Sequence, residues 1–191
     1  MDWGIPLSKW LEIDRTYTGT PLAYGIDISP DQNVWFTRLH TNEIGFINPK
    51  DSTITMIKTP LMGPRRLRSD NRGHIWITFY GDSAIAKYDP EKKSFEKFFL
   101  PVLPLGSETP YALNVDLKRN WIWVTGNQSD ALYALDLMNK TWRTFPLPKN
   151  TTFTRDIEFD NEGNAYVCNS NFPSWHIEDA QPTLLRINPD L

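Results

Sequence analysis

The feature that most constrains this fold is a short aromatic strand that recurs four times along the chain. Its copies are residues 34–37, 75–78, 122–125 and 165–168, with the aromatic position at Trp35, Trp76, Trp123 and Tyr166. Aromatic and β-branched residues favour strands. A repeat of roughly 40–50 residues is typical of a β-propeller, in which each repeat forms one four-stranded blade.

Three further segments with strand character flank each of the first three copies of the aromatic strand, and two flank the fourth. One precedes it (residues 24–28, 65–69, 111–115 and 155–159), and two follow it (44–49, 85–90, 132–136 and 184–189, then 53–57, 94–98 and 141–145). Polar turns such as residues 161–163 separate the first two strands. The sequence therefore predicts an all-β propeller of four-stranded antiparallel blades, at about residues 20–61, 62–103, 104–150 and 151–191.

The two ends of the chain bear on how the ring closes. The last repeat stops after its third strand, and residues 8–14 resemble an unattached fourth strand. An N-terminal strand commonly completes the C-terminal blade of a propeller, which leaves no bare edges. Either the chain closes on itself as four blades, or it belongs to a six- to eight-bladed ring whose other blades lie upstream or in a second copy. Because four-bladed rings are uncommon, we slightly favour the second architecture.

Charge and composition exclude several classes of partner. The net charge is −3 with no long Lys/Arg block, so we expect no nucleic-acid partner. No apolar run approaches the roughly 20 residues that span a bilayer, so we expect no membrane association. The start of the chain has no leader character, which predicts a cytoplasmic protein. A single cysteine, Cys168, excludes an internal disulfide.

The order of short motifs in the first repeat resembles a known family. Residues 23–49 contain Tyr-Gly-Ile, Asn-Val-Trp-Phe-Thr, Ile-Gly and Ile-Asn-Pro in succession. This pattern resembles the blade of the streptogramin (virginiamycin B) lyases and extends through all four copies. Residues 154–179 are similar to uncharacterised lyase-like propellers of bacteria. The resemblance implies a C–O elimination, assisted by Mg²⁺, that opens a cyclic depsipeptide at its ester.

The resemblance also implies a histidine and glutamate dyad, and this chain lacks it. The family's histidine positions, one residue into the innermost strand, hold Tyr24, Arg65, Tyr111 and Arg155. The glutamate positions, after the Trp-Phe-Thr strand, hold Arg38, Phe79, Gly126 and Asn169. An arginine cannot accept a proton near pH 7, so it does not replace the histidine as a base. Further blades could still supply the dyad.

Propeller geometry predicts where a site would form. The start of each innermost strand and the loop after each second strand surround the mouth of the central channel. The candidate ligand-binding residues are Tyr24, Arg38, Arg65, Tyr111, Asn169, Asn171, Trp175 and Glu178. Converging guanidiniums indicate an anionic or carbonyl-rich small molecule. Alternatively, the arginines pair with Glu108, Asp156 or Glu178.

The last loop between second and third strands is longer than its counterparts and is a second candidate region. It spans residues 169–182 and contains Trp175, His176 and Glu178. His176 is the best candidate for a general base, with Arg155 as the other candidate catalytic residue. The alternative is a loop that only caps the ring, with Trp175 as its anchor.

Three functions are therefore in competition. The first is a lyase-like enzyme acting on a polar small molecule, and the second is a non-catalytic propeller that binds a ligand or a protein on the same face. The third, a calcium-dependent lactonase, requires several carboxylates around one metal, whereas the expected inner ring is Arg and Tyr.

The innermost strands also carry a further row of polar residues, which predicts either a hydrated tunnel or mutual pairing. The row consists of Asp27, Arg68, Asn114 and Glu158.

Overall fold

The structure is a computed structural model that describes residues 23–149, 152–169 and 183–190. Within these ranges the chain forms fifteen strands in four antiparallel sheets, and no helix there is long and apolar enough to cross a membrane. The prediction of an all-β propeller is confirmed. The expected closing strand, residues 8–14, lies outside the described residues.

Each sheet is a meander in which consecutive strands pair. Blade 1 comprises β1 (Ala23–Ile28), β2 (Val34–Arg38), β3 (Glu43–Asn48) and β4 (Thr53–Lys58), and blade 2 comprises β5 (Pro64–Ser69), β6 (Ile75–Phe79), β7 (Ala84–Asp89) and β8 (Ser94–Phe99). Blade 3 comprises β9 (Pro110–Asp116), β10 (Trp121–Gly126), β11 (Ala131–Asp136) and β12 (Thr141–Pro146), and blade 4 comprises β13 (Thr154–Phe159), β14 (Ala165–Asn169) and β15 (Leu184–Ile187).

The repeated tryptophans form the core between successive blades. Trp35, Trp76 and Trp123 are at most 2% exposed, and each packs among residues of the following blade. Their indole N–H groups find partners, as where Trp76 Nε1 donates to Asp70 Oδ2 at 3.1 Å. Burying the ring while satisfying its one polar atom makes tryptophan suited to this position.

Blades 1 to 4 pack face to face in chain order, and in the described part of the chain blades 1 and 4 do not pack on each other in this way. Ile26 and Ile28 of blade 1 are 58% and 57% exposed, and Leu184 of blade 4 is 69% exposed. The described residues are therefore a run of four blades whose two outermost faces do not cover one another.

A threonine near the end of the second strand connects blade 1 to blade 2 and blade 2 to blade 3 by hydrogen bonds. Thr37 Oγ1 accepts a hydrogen bond from Gly25 N at 2.8 Å and donates to Arg65 O in the next blade at 2.6 Å. Thr78 Oγ1 likewise accepts from Arg66 N at 3.0 Å and contacts Tyr111 O at 3.1 Å. A hydroxyl can do both because it donates and accepts.

We expect Thr78→Val to lower the free energy of unfolding by about 2 kcal/mol, because a side chain of nearly the same shape leaves two buried backbone groups without partners. Urea denaturation measures the change. Thr144→Val, at an exposed position of β12, is the matched control and should change stability by less than about 0.5 kcal/mol. Equal stability of the two variants would show that the threonine bridge contributes nothing.

Candidate functional site

An irregularity near the start of every innermost strand directs one residue of each blade toward the channel mouth. The pairing register shifts between Ala23 and Ile26 in β1, and similar shifts occur near the starts of β5, β9 and β13. Such bulges re-aim side chains and are common beside functional sites. The shifted segments contain Tyr24, Arg65, Tyr111 and Arg155.

A glycine allows the first two of these segments to approach closely. A Cβ atom on Gly25 would lie 2.7 Å from Arg65 O and 2.9 Å from the Cα of Arg66. Any other residue would push blades 1 and 2 apart at this point, because both contacts are to backbone atoms. The Tyr-Gly pair of the first repeat therefore sets the spacing of the inner strands.

The structure brings the four residues into one cluster, which we call the Arg–Tyr cluster. The Tyr24 and Tyr111 hydroxyls form a short hydrogen bond, and Arg65 Nη2 donates to Tyr24 Oη at 3.0 Å. The Arg65 guanidinium carbon lies 4.7 Å from the ring centroid of Tyr24 and 4.0 Å from that of Tyr111. The Arg155 guanidinium lies 4.6 Å from the Tyr111 ring.

Two residues outside the predicted set complete the cluster. The Tyr80 ring lies 4.4 Å from the Arg65 guanidinium, and Arg66 lies 5.5 Å and 5.8 Å from the rings of Tyr24 and Tyr111. Tyr80 follows β6 directly, so the rule that loops after second strands face the channel mouth would have identified it. Arg66 carried no comparable signal, since its counterparts in other blades are Gly25, Ala112 and Asp156.

Aromatic rings explain how three guanidiniums share this space. The negative faces of tyrosine rings attract cations, with each exposed contact contributing about 0.5–1 kcal/mol. Arg65 contacts three such rings, and the Tyr111 ring contacts both Arg65 and Arg155. The cluster is thus a fixed positive site rather than a set of mobile side chains.

Neither Arg65 nor Arg66 forms an ion pair with a carboxylate among the described residues. Their Nε atoms are buried, and neither has a hydrogen-bond partner in the described part of the chain. A buried donor without a partner destabilises a protein by about 1–3 kcal/mol. The two guanidiniums therefore carry positive charge that no described carboxylate neutralises.

The carboxylates expected to neutralise the cluster have other partners. Asp156 Oδ1 lies 3.4 Å from Arg68 Nη2, linking the inner strands of blades 4 and 2. Glu108 is 1% exposed and accepts from Asn127 N at 2.7 Å and Gln128 N at 2.9 Å. The third expected partner, Glu178, lies outside the described residues.

Below the Arg–Tyr cluster, three of the four residues in the polar row of the innermost strands pair with one another. Arg68 Nη2 lies 3.7 Å from Glu158 Oε1, and Asn114 Nδ2 donates to Glu158 Oε2 at 3.0 Å. Asp27 Oδ2 accepts from Ser69 N at 2.7 Å. Mutual pairing therefore holds for Arg68, Asn114 and Glu158, whereas Asp27 bonds with Ser69 outside the row.

The electrostatics of the cluster act in opposite directions on its two hydrogen-bonded tyrosines. Burial alone would raise the pKa of Tyr111, but hydrogen bonding with Tyr24 and Arg65 and the charges of Arg65 and Arg155 outweigh it, giving a pKa of about 8. Burial, followed by the hydrogen bond with Tyr111, raises the pKa of Tyr24. The pair therefore loses its first proton more easily than an ordinary tyrosine and its second less easily.

Of the remaining predicted site residues, the structure describes Arg38 and Asn169, and neither contacts the cluster. Arg38 is 1% exposed and lies 3.6 Å from Glu43 Oε2, so a ligand would have to displace that ion pair to reach it. Asn169 is also buried, and its Oδ1 accepts from Thr183 N at 2.5 Å, at the base of the long loop. The other loop candidates, Asn171, Trp175, His176 and Glu178, lie outside the described residues.

The cluster does not fit the Mg²⁺ that the family resemblance implies. Magnesium prefers carboxylate oxygens and water, whereas Arg65, Arg66 and Arg155 supply positive charge that repels a cation. Across residues 23–149, 152–169 and 183–190, no three His, Cys, Asp or Glu side chains are arranged to hold a metal ion. We therefore derive no metal-dependent step for this cluster.

Two grooves of about 450 Å³ each lie at the opposite end of the blades, on the sides of blade 2. Both are bordered by His74, whose Nδ1 lies 2.9 Å from Asp70 Oδ2. At the edge of one groove, Lys92 Nζ lies 2.8 Å from Asp89 Oδ2. Because these charged groups pair with one another, the grooves have fewer polar groups available to a ligand than the Arg–Tyr cluster has.

These features define a β-propeller with a cluster of arginines and tyrosines at the starts of its innermost strands, and comparison with solved structures agrees on the fold. The chain is similar to virginiamycin B lyase from Staphylococcus aureus, with a TM-score of 0.70 and 19% identity over 90% of this chain and 57% of the lyase. It is also similar to a streptogramin B lyase, with a TM-score of 0.69 and 23% identity over 87% of this chain and 55% of that one. The fold is thus that of a lyase-like β-propeller.

The chain is also similar to structures of proteins of other kinds. One is the extracellular domain of the putative one-component system BT4673 from B. thetaiotaomicron, with a TM-score of 0.62 and 19% identity over 81% of this chain and 20% of that one. No family model and no curated protein matches the sequence. The chain spans little more than half the length of the lyases. At these identities the similarity establishes the fold alone.

Proposed function

We propose that this protein binds a small anionic molecule at the channel mouth, with Arg65 and Arg155 as its main charged contacts. The observation that carries the proposal is that Arg65 and Arg66 carry positive charge that no described carboxylate neutralises. Tyr24 and Tyr111 add hydroxyl groups at the same place. A planar guanidinium matches the two oxygens of a carboxylate or phosphate.

Calorimetric titration at pH 7 with sulfate, phosphate and small dicarboxylates tests this proposal, with uncharged amides of the same carboxylates as reference ligands. We expect anions to bind and the amides not to bind. Arg65→Met should weaken the tightest anion by tenfold or more, because a charge-assisted hydrogen bond contributes about 1.5–3 kcal/mol. Arg155→Met should have a similar effect.

The chain offers a matched control for the loss of a guanidinium. Arg143 lies 4.6 Å from the Trp121 ring, on the exposed outermost strand of blade 3, so it makes the same type of contact far from the channel. Arg143→Met should leave anion affinity unchanged. Equal weakening by Arg143→Met and Arg65→Met, or the absence of any anion binding, would contradict the proposal.

A second candidate function is a C–O elimination, favoured by the structural similarity to the streptogramin B lyases. One of the similar structures is a catalytically inactive virginiamycin B lyase with quinupristin. For this chain the candidate catalytic residues are His176, as general base, and Arg155. Chromatography of quinupristin incubated with the protein tests the activity. Turnover that His176→Ala and Arg155→Ala abolish without lowering the melting temperature would favour it, and turnover unchanged in both would exclude these roles.

A further inference from the structure

The Tyr24–Tyr111 pair is the part of the site whose charge can change. Arg65, Arg66 and Arg155 are always protonated. The pair lies among them, with the Tyr111 ring 4.0 Å from the Arg65 guanidinium and 4.6 Å from that of Arg155. Tyr111 is 7% exposed, so its hydroxyl faces these groups rather than bulk water.

We propose that anion binding at the channel mouth is coupled to protonation of this tyrosine pair. The phenolate form places a negative charge of the protein itself beside the arginines, so a ligand binds well only when the pair is neutral. This inference rests on the proposed function. Phenolate and ligand both carry negative charge and both are stabilised by the Arg65 and Arg155 guanidiniums. Each therefore disfavours the other, which is a reciprocal coupling between proton and ligand.

The groups that face the pair support this coupling. Arg65 and Arg66 belong to β5, and Arg155 belongs to β13. The Tyr80 ring contacts the Arg65 guanidinium. The nearest carboxylate in the sequence of β13, Asp156, is paired with Arg68. With the tyrosines neutral, the three guanidiniums give the cluster a charge of about +3, and one phenolate reduces it to about +2.

The direction of the pH effect follows from the ionisation of Tyr111. Its pKa of about 8 means that the pair is mostly neutral at pH 7 and mostly ionised at pH 9. If only the neutral pair accepts the anion, affinity should fall about tenfold between these two pH values. Sulfate is the best probe, since its own charge is constant over this range.

The first test follows the tyrosines themselves by their absorbance near 295 nm between pH 6 and 11. Of the seven tyrosines, one should ionise near pH 8. That ionisation should disappear in Tyr111→Phe and move upward in Tyr24→Phe and Arg65→Met. Tyr166→Phe, in blade 4, is the matched control and should retain it. If all seven tyrosines ionise at about pH 10 or above, the proposal is wrong for every ligand.

The second test measures sulfate affinity at pH 7 and pH 9 by calorimetry. The wild-type protein should bind about tenfold more weakly at pH 9, whereas Tyr111→Phe should bind with equal affinity at both. If the wild-type protein ionises near pH 8 but its sulfate affinity is the same at both pH values, the coupling is wrong and the proposed function stands. No sulfate binding at pH 7 would instead overturn the proposed function, whatever the tyrosine titration shows.

Discussion

Trp123→Ala should lower the free energy of unfolding by about 3–5 kcal/mol, as is typical when a large buried aromatic is truncated in a core. The Trp123 side chain is fully buried, and its ring stacks on Phe145 with centroids 4.7 Å apart. It also packs among blade 4 residues that include Ile157 and Val167. Removing it leaves a cavity between blades 3 and 4 that neither sheet can close without moving.

Urea denaturation followed by circular dichroism measures this loss, and Trp142→Ala is the matched control. Trp142 lies on the outer strand β12 and is only partly buried, so its truncation should lower stability by less than half as much. Trp123→Phe keeps an aromatic ring at the interface and should fall between the two. If Trp123→Ala and Trp142→Ala destabilise equally, the repeated tryptophan is not the main contact between blades.

The fold was predictable from the sequence because the same pattern of strands occurs four times along the chain. The strand that carries Trp35, Trp76 and Trp123 recurs with its flanking strands in a constant order, and its aromatic position is buried because this strand is covered on both faces. The same regularity predicted that Tyr24, Arg65, Tyr111 and Arg155 would converge, because equivalent positions of successive blades surround one axis. This part of the inference needed no side-chain detail.

What the sequence could not predict was which charged groups pair. Glu108 was one alternative partner for the arginines, yet its carboxylate accepts hydrogen bonds from the backbone N–H groups of Asn127 and Gln128, in the loop after β10. Arg38 was expected at the channel mouth, but it is buried beside Glu43. Both outcomes depend on the approach of side chains from different strands, and a linear repeat does not encode those distances. For the same reason Arg66 was not identified.

Glu108→Ala should lower the free energy of unfolding by about 3 kcal/mol, the second largest effect we expect. Its buried carboxylate accepts backbone hydrogen bonds from Thr109, Asn127 and Gln128, at 2.7–2.9 Å, and a short one from the Ser129 hydroxyl. Removing an ionised acceptor leaves several buried donors without partners, and each unsatisfied donor costs about 1–3 kcal/mol before water enters.

Glu96→Ala is the control that separates this effect from ordinary loss of charge. Glu96 forms two ion pairs, with Lys87 Nζ at 2.8 Å and Lys140 Nζ at 2.5 Å, but it is 36% exposed. Surface ion pairs contribute little, so Glu96→Ala should lower stability by less than about 1 kcal/mol although it breaks more salt bridges. Because Glu108 fixes the start of β9, Glu108→Ala should also shift the pH 8 ionisation assigned to Tyr111, whereas Glu96→Ala should not. Equal stability of the two variants would show that Glu108 does not anchor this loop.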